Sequence, residues 1–508
     1  IEMCSDNDKV ICENPKMAKY CFDICMGEIR NLELAKYFLD NTNPSTSEYH
    51  KMSSLYWEDQ GDIKKSLKHS FQAFFLEPEN IVTISRLIEI KKRANFGIDI
   101  FDYLIINLYI TQRGGKPIIP KYEDSSLSFN SDEITSDLVA FSEQNWMALE
   151  SGDFSNFFDK IDDQLSINYE GMNEIISENL QISESDQIIR KEIIRLLKVN
   201  EDSERVLRYS TEYFKHNKRK SVGGFADRIK GITTVMLLSI VTERRFEIDW
   251  REPFPIEEIF HINDYDWIVR DKTTDPQRIC LIDGHFSDIV KDSLGQRDAQ
   301  EIIGINQDIC EINCNIYSHS CLENPSMAPY LANLTNEALE QPKMIGSLLS
   351  LFDYKPNLIE SAIIYNFVKF SNMYDDSIGI QFRTGGDGDW IDPEVDSMEN
   401  ATKLIDRAIE IQESSGVQSC IFFASDSNIL KSKIIGEFCG QLDIFCINIP
   451  IAHIDRSEGD FLISGSRFAI MENYLLSISG HVLTGKGAFA VISANRSFNW
   501  PWRYHKAH

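Results

Sequence analysis

Residues 223–231 combine types that suit a phosphorylated ligand. The stretch reads Gly-Gly-Phe-Ala-Asp-Arg-Ile-Lys-Gly, and an apolar run at helical spacing follows it. Two glycines before such a run predict a tight turn into a helix, whose first backbone N–H groups and dipole favour an anion. Arg228 adds a forked cation that matches phosphate geometry. On this stretch alone, an ordinary loop-to-helix junction explains the pattern equally well.

A second stretch of this kind follows a predicted strand at residues 377–382. Arg383 comes directly after the strand, and Gly385 and Gly386 follow it. A guanidinium beside a glycine-rich turn offers its own donors and backbone N–H groups to a single phosphate. Asp387 and Asp389 stand next in the chain as carboxylates. They do not fit a calcium-binding EF-hand, because the glycine falls at the wrong position.

Two further loops follow predicted strands later in the chain. Ser425, Asp426 and Ser427 offer hydroxyls and a carboxylate, which suit the hydroxyl and amine groups of a nucleoside. The other loop contains Thr484 and Lys486 between glycines. It is not a P-loop, because no Ser or Thr follows the lysine. The chain also lacks a Gly-x-Gly-x-x-Gly after a strand and a Gly-x-Ser-x-Gly, which argues against a dinucleotide-dependent dehydrogenase and an α/β-hydrolase.

These loops lie within an alternating pattern of strands and helices. Strands are predicted at residues 245–250, 278–283, 377–382, 417–424, 442–449 and 481–483, and helices at residues 401–414, 428–439, 467–479 and 488–495. Short connections between alternating elements predict a parallel, doubly wound sheet. Ligands of such sheets bind at the carboxyl ends of the strands, where these loops begin.

The first part of the chain, up to about residue 205, is predicted to be helical. Residues 61–78 are similar to the second helix of a tetratricopeptide repeat, with Gly61 closing the turn between two helices. Ser66 and Ala73 stand where small residues let helices pack closely, and Trp57 falls on the preceding helix. A degenerate second copy is predicted at residues 81–114. A plain α-helical domain is the alternative.

Composition limits the partners and suggests a compartment. The chain has 508 residues, a net charge of −28 and 43% hydrophobic residues, which is unlike a general nucleic-acid binder. No apolar run is long enough to span a membrane. The 11 cysteines, with four near the start (Cys4, Cys12, Cys21 and Cys25), lack the spacing of a zinc site and favour disulfides. With the sequons at Asn333, Asn400 and Asn495, they favour the secretory pathway or Golgi lumen over the cytoplasm.

Taken together, the four loops resemble those of the GDP-fucose-dependent fucosyltransferases, the superfamily of α-1,2-, α-1,6- and protein O-fucosyltransferases. The resemblance covers roughly residues 215–508. It implies a GT-B fold, a pair of Rossmann-like domains, here preceded by tetratricopeptide-like helices. The expected segments are a cysteine-rich start (residues 1–30), a helical domain (31–205), an acceptor-side domain (206–365) and a nucleotide-sugar donor domain (366–508).

The resemblance also implies roles for individual residues. Arg383 would bind the β-phosphate of GDP-fucose, with Gly385 and Gly386 beside it. The guanosine end would lie against Ser425, Asp426 and Ser427, and the first domain would line the cleft with Gly224, Asp227 and Arg228. Where relatives carry polar residues in the last motif, this chain has Gly480 and Gly487 or Ala488, which leaves Thr484 and Lys486 as polar candidates.

The reaction implied is metal-independent fucosyl transfer with inversion, without a cofactor beyond the donor. Three carboxylates remain open as the base, namely Asp227, Asp387 and Asp389. The Asp-x-Asp pair at 387 and 389 also resembles the metal site of another glycosyltransferase fold, which the two-Rossmann pattern disfavours. The expected partners are the donor, a glycan or glycoprotein acceptor, and a peptide or protein that contacts the helical repeats. The alternatives are a transferase for another nucleotide sugar, or a catalytically degenerate protein that binds through its repeats.

Overall fold

A computed structural model describes most of the chain. The described residues are 12–78, 80–94, 182–211, 223–252, 254–269, 276–281, 308–315, 334–336, 338–356, 358–385, 398–438, 441–448, 451–452, 454, 461–485, 487–497 and 502–503. Among them, no helix is both long and apolar enough to cross a membrane. Contacts divide the chain into two compact units. The first unit comprises Ile1–Met172, Pro356–Ser377 and Gln412–Ile449, and the second comprises Asn173–Lys355, Ile378–Ile411 and Pro450–His508.

The described residues contain thirteen α-helices and eleven strands. The helices are α1 (Pro15–Ile24), α2 (Leu32–Asp40), α3 (Ser47–Asp59), α4 (Ile63–Leu76), α5 (Ile81–Arg93), α6 (Glu184–Val199), α7 (Phe225–Val241), α8 (Gln341–Leu349), α9 (Leu358–Ser371), α10 (Met398–Ser415), α11 (Asn428–Phe438), α12 (Phe461–Ser477) and α13 (Phe489–Arg496). The strands are β1 (Val206–Ser210), β2 (Arg245–Asp249), β3 (Phe260–Ile262), β4 (Gln277–Leu281), β5 (Ile309–Cys314), β6 (Phe352–Tyr354), β7 (Asp376–Phe382), β8 (Ser419–Ser425), β9 (Ile444–Phe445), β10 (His481–Thr484) and β11 (Trp502–Arg503).

The helical hairpin expected around Gly61 is present in the first unit. Helices α3 and α4 are joined by a turn in which Gly61 has a φ of +76°, a left-handed conformation that glycine adopts without strain. The Asp62 side chain caps α4 by accepting from the Lys65 backbone N–H at 3.0 Å. Ser66 is buried and donates to the Ser54 carbonyl oxygen at 2.7 Å. This is one antiparallel helix pair followed by α5, and the residues expected to complete a second repeat lie outside the described part.

Aromatic side chains connect the hairpin to the other elements of the first unit. The ring of Phe75, in α4, lies 6.3 Å from that of Phe367 in α9 and 5.8 Å from that of Phe445 in β9. Phe71 makes an edge contact with Phe370. The Asn448 backbone N–H donates to the Phe75 carbonyl oxygen at 3.0 Å. These N-terminal helices therefore share a hydrophobic core with β9 and α9, which lie far along the chain.

In the second unit, four strands form a parallel sheet in the order β2-β1-β5-β4. Helix α7 connects β1 to β2 and packs against β1, β2 and β5. It is apolar on nearly every face, so its burial on the sheet and against neighbouring helices stabilises it more than helix propensity does. The predicted alternation of helix and strand is therefore confirmed in this part of the chain.

A charged ladder runs across the middle of this sheet. Arg208 of β1 is paired in register with Glu247 of β2 and with Glu311 of β5. The Arg208 guanidinium bonds to the Glu247 carboxylate at 2.9 Å and to the Glu311 carboxylate at 3.1 Å. All three side chains are buried. Because each charge is paired with the opposite sign, the ladder offsets much of the cost of removing these ions from water.

In the second unit a further sheet has the strand order β11-β10-β7, and in the first unit β8 lies beside β9. Strand β10 pairs in parallel with β7 and β11, and β8 pairs in parallel with β9. Predicted and observed bounds agree closely for β7, α10, α11 and α13. The strand predicted at residues 442–449 shortens to β9, and beyond it the Asn448 backbone N–H donates to the Phe75 carbonyl oxygen.

The cysteines do not form the expected disulfides among the described residues. Cys21 and Cys25 carry free thiols, and Cys4 lies outside the described part. Cys310 is also a free thiol, buried within β5, and burial raises its pKa to about 12. A buried cysteine acts as a small apolar side chain. Residues 310, 312 and 314 alternate along one face of β5, so these two cysteines belong to the packing of the sheet.

The sequon at Asn495 lies inside a helix. Asn495 belongs to α13, and its side chain is fully buried. A glycan needs an exposed acceptor, so this tripeptide does not support a luminal location. Asn400 lies in the first turn of α10 and is half-buried. Asn333 lies outside the described part.

Candidate functional site

The first glycine turn is as tight as the sequence predicts. Gly223 has a φ of +94°, and a Cβ placed there would come 2.5 Å from the Asp227 Cβ. Gly224 stands at the N-cap position of α7, where no side chain accepts from the first backbone N–H groups. Those N–H groups and the positive end of the helix dipole are suited to an anion.

Arg228 holds this turn from inside. Its guanidinium is buried, donates through Nε to the Gly223 carbonyl oxygen at 3.2 Å, and donates through Nη1 to the Glu252 carbonyl oxygen. It also lies over the indole ring of Trp250, with Cζ 4.6 Å from the ring centroid. The role predicted for Arg228, direct contact with a donor phosphate, is not tested by these contacts. They give it a positioning role, because they fix the carbonyl that precedes the α7 N-terminus.

Asp227 faces the same turn. Its carboxylate forms an ion pair with Lys230 at 2.6 Å, one helical turn further on, and remains about two-fifths exposed. The pair orients the carboxylate beside Gly223. Among the three candidates for the base, Asp227 is the one that the structure describes, since Asp387 and Asp389 lie outside the described residues.

Arg383 follows β7, at the carboxyl end of a parallel strand, as predicted. The side chain is half-buried, and Gly385 behind it has a φ of +94°. Strand β10 ends beside β7, with Thr484 opposite Gln381. The loop after β10 then turns at Gly487, which has a φ of +99°. A Cβ at Gly487 would lie 3.8 Å from Nη1 of Arg383, so the guanidinium lies against this glycine turn.

Thr484 links the two strand ends. Its Oγ1 donates to the Gln381 Oε1 at 3.2 Å, and the Gly485 backbone N–H donates to the Gln381 carbonyl oxygen at 3.3 Å. Thr484 is fully buried. It was predicted to contact the donor, and that remains a prediction, but its hydroxyl already holds the ends of β7 and β10 together. Lys486 and Gly386 lie outside the described residues.

Two helix N-termini meet at this place in the second unit. Phe225 is the first residue of α7, and Phe489 is the first residue of α13. Their rings make an edge contact with centroids 6.4 Å apart. Gly224 precedes one ring and Gly487 lies two residues before the other. The contact joins the first glycine turn to the loop beside Arg383, although the two are far apart in the sequence.

The third predicted loop belongs to the first unit. Ser425 ends β8, and its Oγ accepts from the Ser427 backbone N–H at 3.2 Å. The Ser427 hydroxyl caps α11 by accepting from the Leu430 backbone N–H at 3.0 Å. Both serines are buried, whereas Asp426 is partly exposed. The two serines therefore shape the turn. Of the three predicted residues, Asp426 is the one whose side chain is accessible to solvent.

Sequence reasoning missed four contributors to the site in the second unit. Phe225, Trp250 and Phe489 were not singled out, and Gly487 was noted only as a departure from the family pattern. Gly487 carried a usable signal, since a glycine placed directly before a predicted helix is a common turn position. The contact between Phe225 and Phe489 has no signal in the sequence, because it joins residues from separate elements.

No cluster of three or more His, Cys, Asp or Glu side chains among the described residues is placed to hold a metal ion. The arrangement instead offers one guanidinium, two helix N-termini and three glycine turns. Features of these kinds suit anions such as phosphate groups.

Comparison with known proteins gives no match to a family model or to a curated protein. Among solved structures, the chain is similar to a mutant of Arabidopsis thaliana FUT1 in complex with GDP, at 13% identity and a TM-score of 0.42, over 68% of this chain and 79% of that chain. It is also similar to NodZ alpha-1,6-fucosyltransferase co-crystallized with GDP, at 15% identity and a TM-score of 0.35, over 57% of this chain and 92% of that chain. Similarity of this extent leaves the function to be argued from the residues themselves.

Proposed function

We propose that the chain is a glycosyltransferase that moves fucose from GDP-fucose to a hydroxyl of a glycan or protein, with inversion and without a metal ion. One observation carries the proposal, namely the position of Arg383 at a parallel strand end and against the Gly487 turn. A guanidinium beside backbone donors suits a departing diphosphate, whose charge grows as the glycosidic bond breaks. The motif resemblance to GDP-fucose-dependent enzymes supplies the identity of the nucleotide sugar.

In this proposal Arg383 binds the β-phosphate and stabilises the leaving GDP. The bond between the fucose anomeric carbon and the phosphate oxygen breaks, and the acceptor oxygen attacks from the opposite face. The acceptor proton passes to a carboxylate, for which Asp227, Asp387 and Asp389 are the candidates. The ion pair of Asp227 with Lys230 keeps that carboxylate oriented beside the α7 N-terminus.

The remaining residues position the donor. Arg228 fixes the turn at Gly223 and Gly224, and Thr484 fixes the loop after β10. Asp426, on the turn shaped by Ser425 and Ser427, is proposed to accept from the guanosine end. Lys486 and Gly386 are proposed as further phosphate contacts on the strength of the family motif alone.

A panel of nucleotide sugars tests the proposal. GDP-fucose should give transfer or slow hydrolysis, and activity should persist in EDTA. GDP should raise the melting temperature more than UDP, ADP or NAD, because a ligand that binds only the folded state stabilises it. Transfer from a different nucleotide sugar would correct the donor, and failure of every nucleotide to shift the melting temperature would refute a transferase.

A further inference from the structure

A cavity of about 580 Å³ opens in the second unit beside helix α6. Its polar lining consists of Gln187, Arg190, Lys191, Arg195, Lys198 and Asp264. Five of the six belong to α6 and recur at helical spacing, so one face of that helix forms a wall of the cavity. Its volume lies within the range of small-molecule sites, roughly 300–1,000 Å³.

The charge of this lining is unusual for the chain. Four cations face one carboxylate, whereas the whole protein carries a net charge of −28. Arg190 pairs with Asp264 at 3.1 Å. Lys191, Arg195 and Lys198 have no ion-pair partner within the described part of the chain, and all three are exposed. Like charges three and four residues apart on a helix repel one another, and a bound anion would relieve that repulsion.

The helical wall is firmly held. The opposite face of α6 is buried through Ile189, Ile193 and Leu197. Ser183 caps its first turn by accepting from the Asp186 backbone N–H at 3.2 Å. Asp186 also forms an ion pair with Lys343 of α8. The cations therefore stand on a fixed helix rather than on a loop.

The facing wall is fixed as well. Asp264 has a φ of +60°, a left-handed conformation that Asp adopts more readily than most residues other than Gly, and the residues on either side of it are held in place. Asn263 Nδ2 donates to the Ser350 carbonyl oxygen and to Asp353, both at 3.1 Å. Tyr265 is buried, and its hydroxyl donates to the Phe246 carbonyl oxygen at 3.1 Å. The cavity is thus preorganised on both sides.

We propose that this cavity binds a small polyanion, a ligand with two or more phosphate or sulfate groups, through Lys191, Arg195 and Lys198. The planar fork of Arg195 suits two oxygens of one group, while the two lysines act as point charges on a neighbouring group. The site shares no residue with the one proposed for GDP-fucose. It is therefore a second anion site, and binding of its ligand does not depend on which nucleotide sugar is the donor.

A purely structural role for these cations predicts something different. Cations near the C-terminus of a helix interact favourably with its dipole, and Arg195 and Lys198 lie in the last two turns of α6. Lys191 lies in the middle of the helix, where this effect has faded. If the cations served only the helix end, neutralising them would lower the melting temperature and no polyanion would bind.

Calorimetric titration of the full chain tests the proposal with two probes, tripolyphosphate and a fully sulfated disaccharide, which distinguish phosphate from sulfate ligands. The titrations use an Arg383→Ala background, so that the proposed donor site does not contribute. The test variant is Lys191→Gln, Arg195→Gln, Lys198→Gln. The matched control removes three exposed helical lysines from elsewhere, as Lys16→Gln, Lys64→Gln, Lys433→Gln.

One of the two probes should bind with a stoichiometry near one. The test variant should weaken it at least tenfold, the control should leave it within about twofold, and added salt should weaken it steeply. Absence of saturable binding, or an equal loss in the control, overturns the proposal. Should the test variant fail to fold, hydrogen exchange of the parent protein decides the matter. Protection by the probe must then fall on residues 187–198, and protection elsewhere refutes the site.

Discussion

The guanidinium of Arg228 lies over the indole of Trp250, with Cζ 4.6 Å from the ring centroid, and bonds the carbonyl that precedes the α7 N-terminus. This contact makes a cation of the first glycine turn part of the core. Arg228 is therefore buried against a ring, whereas Arg383 is half-buried at a strand end. The two should respond to substitution in opposite ways.

Arg228→Ala should reduce the free energy of unfolding by about 2–4 kcal/mol, because two part-buried carbonyl oxygens lose a donor and Trp250 loses its cation contact. Arg228→Lys should recover part of the loss, since one donor remains. Urea unfolding measures the effect, with Arg407→Ala on the exposed face of α10 as the control. Unchanged stability together with a raised KM for the donor would instead make Arg228 a direct ligand.

Arg383→Lys should lower kcat on the order of 100-fold or more while leaving the melting temperature nearly unchanged. Lysine keeps the charge but cannot form the fork that strengthens as GDP departs. Arg383→Ala should be slower still. Arg407→Lys provides the control for a generic Arg-to-Lys change. Near-normal transfer by Arg383→Lys, or a large loss of stability, would show that Arg383 is a structural ion-pair partner.

Gly487→Ala should reduce activity more than its effect on stability explains. Alanine at a φ of +99° costs roughly 1–2 kcal/mol, and relief of that strain would move the loop that contacts Arg383. Gly416→Ala is the matched control, since Gly416 has a φ of +66° and no atom would lie within 4 Å of its Cβ. Equal losses of stability with normal activity in both variants would remove Gly487 from the site.

The buried pair of His50 and His69 predicts that stability falls in mild acid. Their Nδ1 atoms lie 2.9 Å apart. Burial lowers the pKa of His69 to about 4, and burial together with His69 lowers the pKa of His50 well below 6.5. The unfolded chain therefore binds more protons between about pH 6.5 and 4, so the free energy of unfolding decreases as the pH falls through that window.

Melting temperatures across that range measure this effect. His69→Gln should flatten the slope, because it removes one imidazole of the buried pair. His261, whose pKa burial also lowers, keeps a residual slope. A profile with the same slope in the parent protein and in His69→Gln would show that the pair is not responsible.

Phe75→Ala should cost about 3–5 kcal/mol, the scale for removing a buried aromatic side chain. Its ring contacts Phe367 and Phe445, so the N-terminal helices and β9 should lose stability in one calorimetric transition. Val82→Ala, on the exposed face of α5, is the control. An early, separate transition confined to the helices would instead identify an independent repeat domain.

Local patterns in the sequence predict much of this structure. Strand β7 and helix α11 begin and end within one residue of their predicted bounds, since polar residues limit short apolar runs there. Strand β5 was not predicted, because one of its faces is made only of Cys310, Ile312 and Cys314 and gives a weak apolar pattern. The glycine turns of the site follow from the residue types. The Phe225–Phe489 contact does not, because periodicity describes single elements and says nothing of which two will meet.

The ladder of Arg208, Glu247 and Glu311 has a consequence for how the sheet assembles. Adjacent strands could pair in several alignments on apolar contacts alone. A slip by one residue would turn Arg208 to the face where Leu207 and Tyr209 now lie, leaving a cation without either carboxylate. The three charges therefore favour the observed strand alignment over a slip by one residue. Because β1 carries the cation, both neighbouring strands must align to it.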